Sequence, residues 1–317
     1  TVLGDCVATQ EKLHERFQGV VPEVAARAHV ERILPVIDTA MKQARLEPAQ
    51  LSAIAVADRP GLAGSLLVGL VAAKTLAVGW QKPLVAVNHL HAHLYACQLA
   101  SGKNIFPCVG FVVSGGHTNL FDCQDAATFT MLGGTIDDAA GEAFDKVASM
   151  LRLGYPGGPA ISRVAAGGDP QAFAFPRSFI HDRERLQFSF SGLKTSVRYQ
   201  IAGVGSADPR DVELSATEVA DIAASFQEAV VDCLVAKAEH ALAKTGSQRL
   251  CLGGGVAANT RFRERLEQSA AERGYELLMA PLRLCTDNAV MGAIALEKLA
   301  AGCGDELDLD VLPGLVR

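Results

Sequence analysis

The chain has 317 residues, 49% of them apolar, and a formal net charge of −6. That size and apolar share support about two domains with sizeable cores and exclude a disordered or fibrous chain. The charges are well mixed, so a nucleic-acid or anionic-membrane partner would have to use a local patch. In chain order, Glu23 to Ala44 has the periodicity of a long amphipathic helix, and "LSAIAVA" (51–57) reads as a strand. The apolar stretch Gly61 to Trp80 reaches transmembrane length, but Ser65, Lys74 and four glycines within it predict a buried helix, with the clearest periodicity over Leu62 to Val78. Next come the strands "PLVAVN" (83–88) and "CVGFVVSGG" (108–116), then a helix over Ile136 to Leu151. Gly168 to Pro209 mixes Pro, Phe and basic residues and reads as a long surface excursion, before a helix over Glu218 to Thr245 and the strand "RLCLGGG" (249–255). Short strands ending in glycine and followed by helices describe an α/β fold.

The eight cysteines are scattered without any C-x-x-C pair, which predicts reduced thiols in a cytoplasmic protein, and no signal peptide is visible. Two strand-to-glycine units, "FVVSGGHT" and "CLGGGVAANT", could each present backbone N–H groups to a phosphate. Glycine after a buried strand is also ordinary turn chemistry, but the two together suggest a nucleotide held between two elements.

In "VNHLHAH" (87–93), Asn88 is a good N-cap, which places His89 and His93 one turn apart on one helix face, with His91 pointing elsewhere. Two imidazoles so spaced can reach one metal ion, and a histidine-rich first turn without a metal has the same spacing. Position 90 is Leu, so the H-E-x-x-H pattern of zinc proteases is missing. In "IDDAAGEAFDK", Asp138, Glu142 and Asp145 fall on one helical stripe, which is either a solvated acidic face or a set of acceptors for a cation or for ribose hydroxyls. In "LCTDNAVM", Asp287 either caps a helix or completes a metal set with the two histidines.

The runs "GVVPEVAARAHV" (19–30), "PGLAGSLLVGL" (60–70), "VNHLHAH", "FVVSGGHTNL" (111–120), "IDDAAGEAFDKVASMLRLGYPGGP" (136–159), "FSFSGLKTSV" (188–197), "GGGVAANTRFRERL" (253–266) and "CTDNAVM" (285–291) occur in a fixed order along nearly the whole chain. In this the sequence resembles the TsaD family, the tRNA N6-adenosine threonylcarbamoyltransferases once described as O-sialoglycoprotein endopeptidases. The resemblance implies a two-lobed actin-like, hexokinase-type (ASKHA) α/β fold with nucleotide and metal in the cleft. Its N-terminal lobe would span residues 1–107 and be completed by a C-terminal helix at about 287–317, and its C-terminal lobe would span 108–286. It implies that His89, His93 and Asp287 bind one divalent metal ion, iron or zinc. It also implies that Val112, Val113, Ser114, Gly115 and Gly116, with Asp145, Gly158 and Asn259, hold the adenylate part of the substrate.

The activity implied is transfer of the threonylcarbamoyl group from threonylcarbamoyl-AMP to adenosine 37 of tRNAs reading codons that begin with A. No covalent protein intermediate is needed, so Ser114 is a turn residue, and no general base is identified. The implied partners are tRNA, a small TsaB-like paralogue and a TsaE-like ATPase, with no membrane. For tRNA, the best local patch is Arg177, Arg183, Arg185, Lys194 and Arg198, interleaved with Phe179, Phe188 and Phe190, which are either stacking residues or core. A glycoprotein metalloendopeptidase and a non-catalytic paralogue subunit are the competing readings.

Two departures from the family pattern stand out. Its opening, roughly "LGIETSCDET", has only the echo "LGDCVAT" here, and the chain opens on Thr1 without an initiator Met. The expectation is an N-terminal lobe without its first strand and turn, either because a longer protein precedes Thr1 or because the hairpin is lost. The family's T-x-G-P-G-L reads Ala57-Asp58-Arg59-Pro60-Gly61-Leu62, which places Ala57 where the family has Thr and Arg59 where it has Gly.

Overall fold

The computed structural model describes residues 1–14, 17, 20–205 and 208–314. Gly19 of the first quoted run, residues 206–207 of the expected excursion and residues 315–317 of the expected C-terminal element lie outside the described residues. The chain forms two compact units, one of Thr1–Leu99 with Asp287–Arg317 and one of Ala100–Thr286.

In the first unit a single turn, α1 (Glu11–His14), precedes the long helix α2 (Pro22–Ala44). Pro22 occupies the first helical position, where its missing N–H costs no hydrogen bond, and Arg45 ends the helix in the left-handed conformation. A β-α-β unit follows: β1 (Ile54–Arg59), α3 (Ala63–Trp80) and β2 (Leu84–Asn88), with the strands parallel from Ile54↔Leu84 to Arg59↔Asn88. Among the described residues no strand precedes β1.

α3 is not the buried helix its composition predicts. Only 17% of it is buried, and Leu67, Val71 and Val78 are 44%, 59% and 60% exposed on one face. Its inward face, Ala73 and Ala77, packs with Leu84, Ile54, Val56 and Leu309, while Lys74 donates to the Leu309 carbonyl. A two-stranded sheet covers only one side of a helix, and an apolar second side is invisible to composition. The helix is long and apolar enough to cross a membrane by length and composition alone; here it packs on β1 and α2. α4 (His89–Ser101) leaves directly from the end of β2.

The second unit holds a five-stranded sheet in the order β5-β4-β3-β6-β7. β3 (Cys108–Val113), β4 (Thr118–Cys123) and β5 (Phe129–Gly134) form an antiparallel meander. Helices α5 (Ala140–Met150), α6 (Gly157–Ala165), α7 (Ser191–Ala202) and α8 (Ala216–Thr245) follow, before β6 (Arg249–Gly253) joins parallel to β3. α9 (Thr260–Arg273) then leads to β7 (Glu276–Met279), parallel to β6, and to the short α10 (Leu282–Cys285). α8 starts from a capping box, Ser215 with Glu218, stops at left-handed Gly246, and buries residues along most of its length.

The expected surface excursion is partly core. Phe175, Leu186, Phe188 and Phe190 are buried, and Phe111, Phe188 and Phe190 form a stacked row. The Phe188 N–H donates to the Gly134 carbonyl and the Phe188 carbonyl accepts from Ile136, which ties the segment to the end of β5. Lys237, fully buried on α8, donates its three N–H groups to the carbonyls of Phe179, Asp182 and Arg185 at 2.6–2.7 Å. With every donor matched, the buried ammonium holds the turn in place.

At Asp287 the chain returns to the first unit, makes a 3-10 turn (Ala289–Ala293) and continues as α11 (Ile294–Ala300). The tail then runs along the β-α-β unit: Asp305 donates its N–H to the Leu84 carbonyl and accepts from the Ala86 N–H, and Leu312 N–H donates to the Asp58 carbonyl.

Candidate functional site

Asn88 starts α4 by accepting from the Leu90 N–H at 2.9 Å, which sets His89 in the first turn and His93 one turn on. The two rings meet edge to face with centroids 4.6 Å apart. Asp287 Oδ1 lies 3.3 Å from Nε2 of each. His93 is 1% exposed, and neither of its ring nitrogens makes a directed hydrogen bond, the approach of Asp287 included. A buried imidazole left this way is costly unless its lone pair has another use.

Burial lowers the His93 pKa, and with His89 beside it this outweighs the pull of Asp287, so the ring stays in the neutral, ligating form. Packing of the two rings against its carboxylate works to raise the Asp287 pKa, though most of the side chain is exposed, and the two imidazoles outweigh this and hold the carboxyl well below the usual range. The three donor atoms lie within 4.8 Å of one another, and His89, His93 and Asp287 form a group that could hold a metal ion. Two nitrogens and one carboxylate oxygen suit a divalent transition metal with positions left open. Neighbouring Asn288, not Asp287, caps the following turn, by accepting from Met291 N–H at 3.3 Å. His91 stands outside the group; burial, with the charges of Lys298 and Arg59, lowers its pKa to about 4.

In the second unit, parallel pairing of β3 with β6, down to Val112↔Gly253, brings the ends of the two glycine loops side by side. Ser114 closes the first loop: its N–H donates to the His117 carbonyl at 2.7 Å and its Oγ accepts from His117 N–H at 3.2 Å. This is turn geometry. Gly115 and Gly116 are exposed at the tip, where added β-carbons would meet only open space.

Asp138 precedes α5 and so does not share a helical stripe with Glu142 and Asp145. It takes Lys146 and Lys194 at 2.8 and 2.6 Å, and Glu142 also takes Lys146 at 2.7 Å. Asp145 differs. Its Oδ1 accepts the Gly157 N–H at 2.7 Å, and burial, against that bond, raises its pKa. Gly157 permits this contact, since a β-carbon there would sit 2.5 Å from the Asp145 α-carbon. Gly158 follows in the first turn of α6. Asn259 caps α9, accepting from Phe262 N–H at 3.0 Å, while its Nδ2 donates to Gln227 Oε1 at 2.8 Å. Ser162, Gln227, Glu228, Thr260 and Arg261 are among the walls of an adjoining pocket of about 220 Å³.

The basic set is less free than its sequence suggests. Arg177 is paired with Asp232 and Lys194 with Asp138, while Arg185 lies 3.7 Å over the Phe179 ring. Arg183 is exposed and Arg198 is half-buried. With Phe188 and Phe190 in the core, only Phe179 of the three rings has a partly open face.

Residues 1–294 match the family described as TsaD, tRNA N6-adenosine threonylcarbamoyltransferase. The chain belongs to the TsaD family. It is 58% identical to the tRNA N6-adenosine threonylcarbamoyltransferase of Rhodopirellula baltica, covering 100% of this chain and 91% of the relative. It is 52% identical to the enzyme of that name from Syntrophobacter fumaroxidans, covering 98% and 91%. Among solved structures it is similar to full-length HypF in its phosphate- and nucleotide-bound form, with a TM-score of 0.61 at 15% identity over 84% of this chain and 41% of that one. That likeness concerns the fold alone, the α/β fold of the ASKHA class.

Arg59, which with Ala57 departs from the pattern noted in the sequence, is coupled to its neighbour Asp58. A register shift between Ala57 and Arg59 turns Asp58 inward to 1% exposure, and Arg59 bonds its Oδ2 through Nε at 2.7 Å and Nη2 at 2.5 Å. Gln227 and Lys237 were not picked out from sequence. Each is a polar side chain set in an apolar helix, "AASFQEAVVDCLVAKA", and that isolation was the available signal.

Proposed function

We propose that this TsaD-family chain transfers the threonylcarbamoyl group from threonylcarbamoyl-AMP to N6 of adenosine 37 in tRNAs reading codons that begin with A. The family match over residues 1–294, joined to the His89, His93 and Asp287 group, carries this reading. In the reaction the N6 amine attacks the carbamoyl carbon, the bond to the AMP phosphate oxygen breaks, AMP departs, and the amine loses a proton. The amine is a weak nucleophile, so the site must stabilise charge on the carbonyl and on the leaving phosphate.

In the loop Val112 to Gly116, the exposed tip residues Gly115 and Gly116 offer backbone N–H groups to the phosphate, the Ser114 N–H being taken by the His117 carbonyl and Val112 and Val113 lying in the β3 ladder beneath, and Asp145, with one oxygen taken by Gly157, keeps the other to accept from a ribose hydroxyl. Gly158 and Asn259 complete the adenylate contacts. His89, His93 and Asp287 would hold one divalent ion, iron or zinc, which when bound supplies a Lewis acid for the carbonyl.

For tRNA, Arg183, Arg185 and Arg198 are the contacts we favour over Arg177 and Lys194, whose charges are already paired. The exposed apolar face of α3, with Val30 and Leu34 of α2, suits a TsaB-like paralogue, and a TsaE-like ATPase completes the set, in the cytoplasm. The functional lobes are taken as 1–107 with 287–317, and 108–286.

The test is reconstitution with threonylcarbamoyl-AMP, tRNA and the bacterial partner proteins, scoring modified adenosine by nucleoside mass spectrometry. Wild type should form it and Asp287→Ala should lose at least about a hundredfold in rate. No modified adenosine from the metal-loaded wild type would reject the transferase reading, and equal product from both proteins would remove the metal group from it.

A further inference from the structure

We infer that Gln227 is a positioning residue that fixes the carboxamide of Asn259 for the adenylate; this rests on the proposed role of Asn259 as an adenylate contact. Gln227 is 8% exposed on α8, between buried Phe226 and the α9-facing Glu228, in a helix whose other buried neighbours are Ala223, Ala224, Ala229 and Val230, with Ser225, also buried, bonded to the Asp169 to Phe173 segment. A buried amide in such a setting costs free energy unless it is hydrogen-bonded, and its oxygen is engaged by the Asn259 Nδ2 at 2.8 Å.

The consequence lies in the second bond. Asn259 Oδ1 is committed to the Phe262 N–H at 3.0 Å, as the cap of α9. A carboxamide held at its oxygen by one helix and at its nitrogen by another has a single orientation, and one Nδ2 hydrogen remains to donate. The cap alone anchors only the oxygen. Without the Gln227 acceptor the amide plane can swing about that anchor, and the remaining donor loses its aim. Gln227 therefore acts through Asn259 and needs no contact with the reacting atoms.

The test uses the full chain and AMP itself as probe, by titration calorimetry, with steady-state kinetics in the reconstituted system. Gln227→Met, which keeps length and removes the acceptor, should weaken AMP binding about tenfold and raise KM for threonylcarbamoyl-AMP in step, with kcat within about twofold. Gln227→Glu, which keeps an acceptor, should recover most of the affinity. A merely structural role would lower the melting temperature of Gln227→Met and leave AMP affinity and KM in place; that result overturns the inference.

Asn259→Ala separates the two levels. If it leaves AMP affinity unchanged, the adenylate reading of Asn259 falls and the inference with it. If it weakens AMP while Gln227→Met does not, the inference alone falls. Should Gln227→Met fail to fold, a crystal structure of wild type with AMP decides: the Gln227–Asn259 bond retained with Nδ2 toward the ligand supports the inference, and a broken or reversed bond overturns it.

Discussion

Gly254 sits so close to Val113 that a β-carbon on Gly254 would fall 2.4 Å from the Val113 carbonyl oxygen. Gly254 also has φ +96°, a conformation side chains rarely adopt. The two loops can run side by side only because this residue has no side chain. Gly254→Ala should therefore cost about 3 kcal/mol or more, from backbone strain and steric overlap together. Urea unfolding at neutral pH measures it, and a shift under about 0.5 kcal/mol, the scale of an indifferent surface change, would refute the contact.

Metal content is the direct measure of the His89, His93 and Asp287 group. Asp287→Ala leaves two imidazoles and no carboxylate, and we expect affinity for a divalent transition metal to fall by at least about a hundredfold. His93→Ala should do the same, since it removes the one ligand that is fully buried. Elemental analysis after dialysis against a weak chelator should find metal in wild type and nearly none in either variant. Stoichiometric metal in both variants would place the ion elsewhere.

The strands and helices most legible in sequence are those whose apolar pattern and end signals agree. β3 and β6 are apolar runs stopped by glycine, and α8 opens on Ser215 with Glu218 and closes on Gly246. β4 and β5 are not among the strands read from sequence, because "TNLFDC" and "FTMLGG" carry turn-forming residues that antiparallel pairing with a neighbour overrides. The shared face of His89 and His93 follows from helical spacing. That Asp287 joins them follows only from the chain's return to the first unit after the whole second one, which no local pattern encodes. The uncovered face of α3 runs against its composition, and composition leaves Phe188 and Phe190 open between surface and core, for one reason: composition reports what a residue prefers, and packing decides which residues have a neighbour to bury against.

Asp58 and Arg59 offer a test of coupled substitution. The Asp58 carboxylate is 1% exposed and bonded by Arg59 at 2.7 and 2.5 Å. Arg59→Gly leaves that carboxylate buried without its guanidinium and should destabilise the protein by about 3 kcal/mol. Asp58→Ala with Arg59→Gly removes both charges and should recover at least half of that loss. The double-mutant cycle by chemical unfolding reads the coupling, and additive single effects would show that the pair is not an energetic unit.

Glu228 on α8 accepts from Arg261 on α9 at 2.8 and 2.9 Å and also from Arg265, which reaches Asp232 at 3.0 Å as well. Burial works to raise the Glu228 pKa, and the two guanidiniums outweigh it and lower it below the usual glutamate range. A carboxyl with a depressed pKa takes up its proton less readily in the folded chain than in the unfolded one. Its stabilisation is thus complete above the unfolded pKa and is lost as pH falls through the depressed value. The network is partly open to solvent, which limits the effect to about 1 kcal/mol. Urea midpoints followed from pH 7 to pH 3, roughly the span over which glutamates titrate, should fall more steeply for wild type than for Glu228→Gln, whose amide cannot ionise. The carboxylates away from Arg261 and Arg265 are common to both proteins, so the difference reads the charge pairing of Glu228 within this network, and parallel curves would mean that the two arginines contribute packing and no charge pairing to it.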